Sequence, residues 1–561
     1  MKHYYESEIL NQLMERDGLK NPSSTPVYES EIREQLLNQV TPSYPKLNDY
    51  ESEWLMYNHT KHLPADFPVE SATNVSQATF NNVVPYAYGK AVLKGQTLVN
   101  LAKVRSKQAA NAVGELNIPI KPNAKYIAFS DVTYDNASNL AMFVTSSVYV
   151  EDDPSLNGDS IYSLAVQGDK GKENMWNQTG AKYVTFTSDS NHCYLHIRTG
   201  GGSSNLKYNN MQVFEYQEGM ENWDIPYFEG MQSVKMPVLK TTGKNLFNSN
   251  NLVIEPKNLY GYFDFTDYDG TLTFSIRDKD TSIDMSEIFL GVTYQGYIYD
   301  GTTENNGGWL LCNGSLDLPS LATSMCKYLS FYPKNQETLD KLMSRYNIQV
   351  EIGSTVTPYE PFQSNILTVN EEVELRGVGD AHDELDCLTG EVTERIGEIV
   401  LDGSEKWLFN ASYLYAELPL NDYSGLADNI CINNRLPQIL IYGNESSLND
   451  NRHGLMISKS KLIRIRMADA QSGQTIDGIK QYLSQNPLTV QYPLATESIK
   501  TVDLTCKDQN GETTLFMPIE GTTHLETSGQ PIKPQMEVEI PVEAITQNLA
   551  SFIDIEGEDN E

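Results

Sequence analysis

Basic residues are scarce in this chain. Lys and Arg together number 41 against 75 Asp and Glu in 561 residues, a formal net charge of −34. Affinity for nucleic-acid backbones comes mainly from Lys and Arg, and anionic membranes attract the same residues, so neither partner suits the chain. A strongly acidic balance suits a soluble particle that must not stick to itself or to polyanions. Cysteine is also sparse: the six, at 193, 312, 326, 387, 431 and 506, contain no Cys-x-x-Cys pair, and they read as reduced, buried thiols rather than a disulfide framework. No stretch approaches the ~20 apolar residues of a membrane span. The polar, acidic run Met1 to Arg16 lacks the basic and apolar regions of a secretion signal. Histidine occurs eight times, without His-Glu-x-x-His, and no Gly-x-Ser-x-Gly elbow is present, which removes the zinc-protease and nucleophile-elbow hydrolase signatures.

What is present is Tyr, 33 residues of it, in a chain that is 10% aromatic although only 39% hydrophobic. Disordered chains are poor in aromatics, so this one folds. Its length corresponds to about four domains, because single cores do not grow so large.

Internal repeats organise the sequence. At the N-terminus one element recurs three times: Tyr5-Glu6-Ser7-Glu8-Ile9, Tyr28-Glu29-Ser30-Glu31-Ile32 and Tyr50-Glu51-Ser52-Glu53-Trp54. Apolar residues follow at helical spacing (Ile9, Leu10, Leu13 and Met14; Ile32, Leu36, Leu37 and Val40), which predicts short amphipathic helices, each too small to stand alone. Pro-rich connectors separate them. Tethered helices of this kind suit groove binding and avidity, so residues 1–75 are expected to anchor the chain to partner subunits through Tyr5, Ile9, Leu13, Tyr28, Ile32, Leu36, Tyr50 and Trp54. The competing expectation is that they pack on their own chain.

A larger repeat follows. Three segments open alike, at Val92 to Leu101, Val238 to Asn248 and Val400 to Asn410, each reading as strand, turn and short strand. Their ends also match: Asn210-Met211-Gln212-Val213 leading to Pro226-Tyr227-Phe228, Asn347-Ile348-Gln349-Val350 leading to Pro358-Tyr359, and Leu488-Thr489-Val490-Gln491-Tyr492. Short helices are predicted before the last strand of the second and third units, from Thr338 to Met343 and from Thr475 to Lys480, with Thr as N-cap. Between these markers run short strands such as Tyr126 to Phe129, Tyr183 to Thr187, Cys193 to Arg198, Tyr328 to Tyr332 and Leu462 to Met467. In the last, Arg464 and Arg466 share one face and Ile463, Ile465 and Met467 the other. β-Branched and aromatic strands separated by Gly/Asn/Asp/Ser loops indicate β-sandwiches.

The expected fold is therefore mainly β: tandem jelly-roll-like β-sandwiches behind a short helical N-terminal anchor. The divisions are 1–75 anchor, 76–235, 236–365 and 400–500 sandwiches, 366–399 a β connector, 501–545 a C-terminal β-module and 546–561 an acidic tail.

Several of these motifs carry a resemblance. Ile348-Gln349-Val350-Glu351-Ile352-Gly353-Ser354-Thr355-Val356-Thr357-Pro358-Tyr359-Glu360-Pro361-Phe362 resembles the closing signature of β-sandwich modules in minor structural proteins of bacteriophages of Gram-positive bacteria. Asp386 to Gly403, Val490 to Glu497, Lys94 to Leu101 and Gly243 to Phe247 are similar to the same group; the N-terminal triplicate is not part of it. The resemblance runs through most of residues 88–545. It implies a virion protein of a tail, baseplate or fibre, assembled in the host cytoplasm. Its modules would be similar to carbohydrate-binding modules that contact host cell-wall polysaccharide or teichoic acid during adsorption. By analogy it also implies a homo-oligomer, such as a trimer. The alternatives are a collar or baseplate scaffold touching only other virion proteins, and a wall-glycan hydrolase whose paired carboxylates a sequence does not reveal.

Sugar rings present apolar C–H faces, which an exposed aromatic covers while nearby amides bond the hydroxyls. On that logic Trp309 with Asn305 and Asn306 is the first carbohydrate-binding candidate, Trp176 with Asn174 and Asn177 the second, and Trp407 the third. The opposing reading places these rings in sandwich cores or in contacts between subunits. His192 and His196, four apart on a predicted strand, read as structural. The acidic loop Glu151-Asp152-Asp153 reads as a solvated turn rather than a calcium site. No metal, cofactor or catalytic residue is expected.

Overall fold

A computed structural model describes residues 68–84, 88–108, 113–121, 123–133, 139–145, 183–188, 194–200, 207–218, 220, 225–249, 253–255, 260–265, 268, 270–278, 288–293, 309–313, 321–323, 328–333, 344, 346–410, 415–425, 430–436, 454–466 and 475–542. Within them the chain is mainly β, in several antiparallel sheets, with one α-helix, Ile476–Gln485. The predicted N-terminal helices and the Thr338–Met343 helix lie outside the described residues. No helix among the described residues is long and apolar enough to cross a membrane.

Two seven-stranded sheets share the largest core. In one, the order is Val69–Val75, Gln535–Pro541, Lys90–Lys94, Glu384–Asp386, Glu391–Leu401, Leu488–Thr501 and Ile432–Asn433. In the other, the path Gln77–Val83, Gly521–Gln530, Gly230–Thr242, Ser364–Val369 and Leu504–Asp508 is joined by Thr97–Asn100 and Glu374–Leu375, both paired with the Gly230–Thr242 strand. Period-two alternation explains the packing. Met536, Val538 and Ile540 are fully buried, while Glu537 and Glu539 point the other way. Glu537 there takes ion pairs from Lys90 and Lys94, on the neighbouring strand. Leu93, Leu239, Leu367, Leu525, Met536 and Val538 bring both sheets into one apolar cluster.

Segments that the sequence assigns to different modules thus meet in one body. The division at 235/236 falls inside the Gly230–Thr242 strand, and that at 500/501 inside Leu488–Thr501. The 366–399 connector and the 501–545 module supply strands to both sheets. Alternation tells which face of a strand is buried, but not which distant strand completes the ladder.

Three further β-units are inserted between these strands. Between Asn100 and Gly230, the three-stranded sheet of Val113–Pro119, Tyr194–Gly200 and Asn139–Thr145 faces the four-stranded sheet of Lys107–Gln108, Lys207–Glu215, Lys125–Thr133 and Tyr183–Thr187. Leu195, Ile197, Tyr126, Val184, Phe186 and Val213 fill the space between them. Between Thr242 and Ser364 lie a five-stranded and a three-stranded sheet, bridged by the Phe265–Phe274 edge contact at 5.9 Å. The third unit sets the sheet of Leu408–Asn410, Tyr415–Pro419, Leu462–Arg466 and Gly454–Ile457 against the ends of two central strands and the helix. Its core includes Leu401, Trp407, Ile463, Ile465, Ile479, Leu483 and Val490. Thr475 caps that helix as expected, its hydroxyl accepting the Gly478 N–H at 3.1 Å. The alternation over Leu462–Arg466 holds for Ile463 and Ile465, both fully buried, and for Arg464, which pairs with Glu417 at 3.0 Å. Arg466 departs from it and is buried at 6% exposure.

Glycine is required where the chain crosses itself at the centre. A Cβ on Gly95 would lie 2.4 Å from the Arg376 carbonyl oxygen, and one on Gly377 would lie 2.6 Å from that of Gly95. Buried Asp383 fastens the same crossing, accepting N–H bonds from Arg376, Arg395 and Ile396 at 3.0, 2.7 and 2.9 Å. Burial pushes its carboxyl pKa up. Cys387, Cys431 and Cys506 are buried.

Two buried histidines make the fold acid-sensitive. His196 is fully buried and accepts the Asn117 N–H at 3.1 Å through Nδ1. His524 is 5% exposed and shares a 2.8 Å hydrogen bond with the Thr79 hydroxyl. Burial lowers both pKa values to about 4. Above the ordinary histidine pKa of about 6.5 neither state is protonated. As pH falls below it, the unfolded chain takes up protons that the native chain refuses, and stability drops until about pH 4. Between pH 7 and 4.5 we expect each histidine to cost about 2–3 kcal/mol. Urea midpoints should therefore fall less steeply with acid in His524→Asn than in the wild type; parallel profiles would contradict the assignment.

Candidate functional site

A buried amide clamp is built in the first unit and repeated in the second. Asn100 ends the Thr97–Asn100 strand and is 3% exposed. Its Nδ2 donates to the carbonyls of Phe228 at 2.8 Å and Met211 at 3.4 Å, and its Oδ1 accepts the N–H groups of Ala102 and Val213, both at 3.0 Å. Asn245 in the second unit does the same. Its Nδ2 donates to Ile348 and Glu360, both at 3.0 Å, and its Oδ1 accepts from Phe247 at 3.0 Å and Val350 at 3.2 Å. Each amide thereby uses two donors and two acceptor sites, the full capacity of an Asn side chain.

A glutamine completes each clamp. Gln212 Oε1 accepts the Phe228 N–H at 3.2 Å, and Gln349 Oε1 accepts the Glu360 N–H at 2.8 Å. Phe228 and Glu360 are therefore held at both backbone groups, and the residue before each is placed by them. That residue is Tyr227 in one unit and Tyr359 in the other, both preceded by Pro. Tyr227 is half-buried and Tyr359 is exposed.

The third unit departs from this pattern. Its counterpart glutamine, Gln491, turns to the central body: its Oε1 accepts from the Thr97 hydroxyl at 2.8 Å, and its Nε2 donates to Glu398 at 2.9 Å and to Ser233 at 3.3 Å. No Pro-Tyr pair follows it. Here the amide fixes the unit to the body instead of presenting an aromatic.

Around Tyr227 the polar groups converge. The Arg105 guanidinium lies 4.4 Å from the ring centroid, and its Nε donates to Asn210 Oδ1 at 3.0 Å. Asn210 sits at a bulge in the Lys207–Glu215 strand, with φ of +51°, a conformation that Asn tolerates better than most residues. The Tyr227 hydroxyl donates to Glu229 Oε1 at 3.1 Å. Its pKa is pushed up to about 12, first by burial and then by the Glu229 carboxylate. Glu115 closes the group. Its Oε2 accepts the Lys103 and Val104 N–H groups at 2.7 and 3.0 Å, and burial raises its carboxyl pKa. An aromatic ring, a guanidinium and the Glu229 carboxylate thus meet at one place.

The residues expected from sequence fare differently. Trp407 is 5% exposed in the third unit's core, and its Nε1 donates to Glu405 at 2.9 Å; its indole is a packing element, which corrects the expectation of a carbohydrate platform. Trp309 begins the Trp309–Asn313 strand, with Val292 opposite on the neighbouring strand. Asn305, Asn306, Trp176, Asn174, Asn177 and the anchor residues Tyr5, Ile9, Leu13, Tyr28, Ile32, Leu36, Tyr50 and Trp54 lie outside the described residues, as do His192 and Glu151 to Asp153. His196 is a core residue. Among the described residues no group of three or more His, Cys, Asp or Glu could hold a metal ion. Sequence reasoning quoted the Pro-Tyr pairs as repeat markers without seeing their placement. The available signal was an Asn-x-Gln-Val strand followed by Pro-Tyr in two units and not in the third.

Compared with protein-family models and with curated proteins, the chain matches none.

The clamp makes a stability prediction. Asn245→Ala strands two buried N–H groups and two carbonyls, and unsatisfied buried groups cost about 1–3 kcal/mol each. After local relaxation we expect a loss of about 3 kcal/mol in urea denaturation. A change below about 0.5 kcal/mol, the size of a neutral surface substitution, would show that the clamp carries no load.

Proposed function

We propose that the protein is a structural component of a bacteriophage virion, in a tail, baseplate or fibre, that binds host cell-wall carbohydrate during adsorption. On this reading the inserted units are jelly-roll modules of carbohydrate-binding type, the N-terminal segment anchors the chain to other virion proteins, and the assembly is a homo-oligomer such as a trimer. The observation that carries the binding half is the repeated clamp: two units of one chain each present a tyrosine by the same buried amides. Weak sites repeated along a chain, and again across an oligomer, become firm attachment through effective concentration. The acidic charge and the motif resemblance support the virion half.

A second reading, a scaffold contacting only virion proteins, draws on exposed apolar side chains. Met236, Leu408, Ile499 and Val400 are 60, 59, 58 and 53% exposed, and surfaces of that kind suit subunit contacts. Sedimentation of the full chain with purified Gram-positive cell walls separates the two. We expect co-sedimentation that soluble wall polysaccharide competes away. Absence of binding to every wall tested, with the chain still incorporated into particles, would favour the scaffold. Release of reducing sugar would revive a hydrolase. Deleting residues 1–60 should free the protein from particles while leaving it folded; insolubility instead would contradict the anchor.

A further inference from the structure

The groups around Tyr227 are specific enough to narrow the ligand, if the carbohydrate reading holds. Arg105 is exposed, yet it is held in place by the Tyr227 ring and by its Nε bond to Asn210. Among the described residues its two terminal amino groups carry no hydrogen bond or ion pair. A guanidinium fixed in this way presents a planar fork of parallel N–H donors without first losing side-chain freedom. Taken alone, such a fork suits a phosphate or carboxylate. It is not alone. Glu229 bonds the hydroxyl of the ring on which Arg105 lies. An incoming anion would face the Glu229 carboxylate, on a chain whose net charge is −34. At physiological salt the Debye length is about 8 Å, so the distant charges are screened and this carboxylate dominates the local field.

A ligand that both accepts and donates meets no such conflict. Adjacent hydroxyls of a sugar ring accept from the guanidinium fork through their oxygens and donate a proton to the Glu229 carboxylate. We propose that the Arg105–Tyr227–Glu229 site binds the vicinal diol of a neutral hexose and discriminates against phosphate-rich wall polymers. Arg105 is the orienting donor, Asn210 positions it, and Glu229 supplies the acceptor and the selection against anions. The third unit, without this arrangement, plays no part in it.

The test uses the full chain. Saturation-transfer NMR is run with an equimolar mixture of the methyl glycosides of glucose, galactose, mannose and N-acetylglucosamine, beside retention on immobilised poly(glycerol phosphate). We expect ring-proton transfer to at least one glycoside, unchanged from roughly 50 to 500 mM salt because no ion pair is formed, and no retention on the phosphate polymer. Affinity should fall about tenfold in Arg105→Ala, and by less in Arg105→Lys, which keeps the charge without the fork. Both variants should keep the wild-type thermal midpoint, since the side chain is exposed. Glycoside binding that is the same in Arg105→Ala and Tyr227→Phe would overturn the site and leave the carbohydrate reading standing. Salt-sensitive retention on poly(glycerol phosphate), lost in Arg105→Ala, would overturn the neutral ligand and keep the site. Absence of binding to every probe would overturn this inference, while sedimentation with cell walls decides the carbohydrate reading separately.

Discussion

The two seven-stranded sheets of the central body bury apolar faces on each other, and the inserted units are built around that contact. Neither sheet is made from one stretch of chain. Val69–Val75 lies beside Gln535–Pro541, and Gly230–Thr242 is flanked by Ser364–Val369 and Gly521–Gln530. Burial of apolar area is the dominant favourable term in folding, but here it is collected only when segments from both ends and the middle of the chain are in register. The inserted units are the excursions the chain makes between visits to this core. Their ends are fixed by the body, so their orientation is inherited from it.

Polar chemistry serves the same geometry at finer scale. The Asn100 and Asn245 amides close each of the first two units onto the start of its own excursion, and Gln212 and Gln349 hold the returning strand. In the third unit Gln491 reaches Thr97 and Ser233 on the central strands. One glutamine position thus serves two ends: it presents a tyrosine where the unit stands out from the body, and it bolts the unit down where strands are shared. The candidate binding surface is a by-product of this architecture, since the residues that hold Tyr227 in place are those that close the unit.

Much of this was legible in the sequence because it is local. β-Branched and aromatic composition marked Tyr183–Thr187, alternation marked the strand ending at Arg466, and a Thr before a short helix marked the Thr475 cap. Gly379, Gly390 and Gly511 each take a positive φ, which glycine adopts without strain. What could not be read was pairing. Val92 to Lys94 carries no mark saying that Gln535 to Glu537 will lie against it, and a 366–399 segment rich in short strands looks like a connector until its partners are known. The site shows the same limit. Trp407 had the composition of a sugar platform, but the third unit's core closes over it. Tyr227 looked like a repeat marker until a bulge at Asn210 and a stacked Arg105 gave it surroundings. Side-chain exposure is a property of the assembled sheets.

Hydrogen exchange measured by mass spectrometry on the intact protein addresses the shared core most directly. Strands of one cooperative body open together. The account predicts that amides in Lys90–Lys94, Gly230–Thr242, Ser364–Val369, Glu391–Leu401 and Gln535–Pro541 exchange with a common protection and lose it together at a single denaturant concentration. Loss of protection at separate concentrations for the segments before 235, between 236 and 365, and after 400 would mean independent modules in series, and would contradict it.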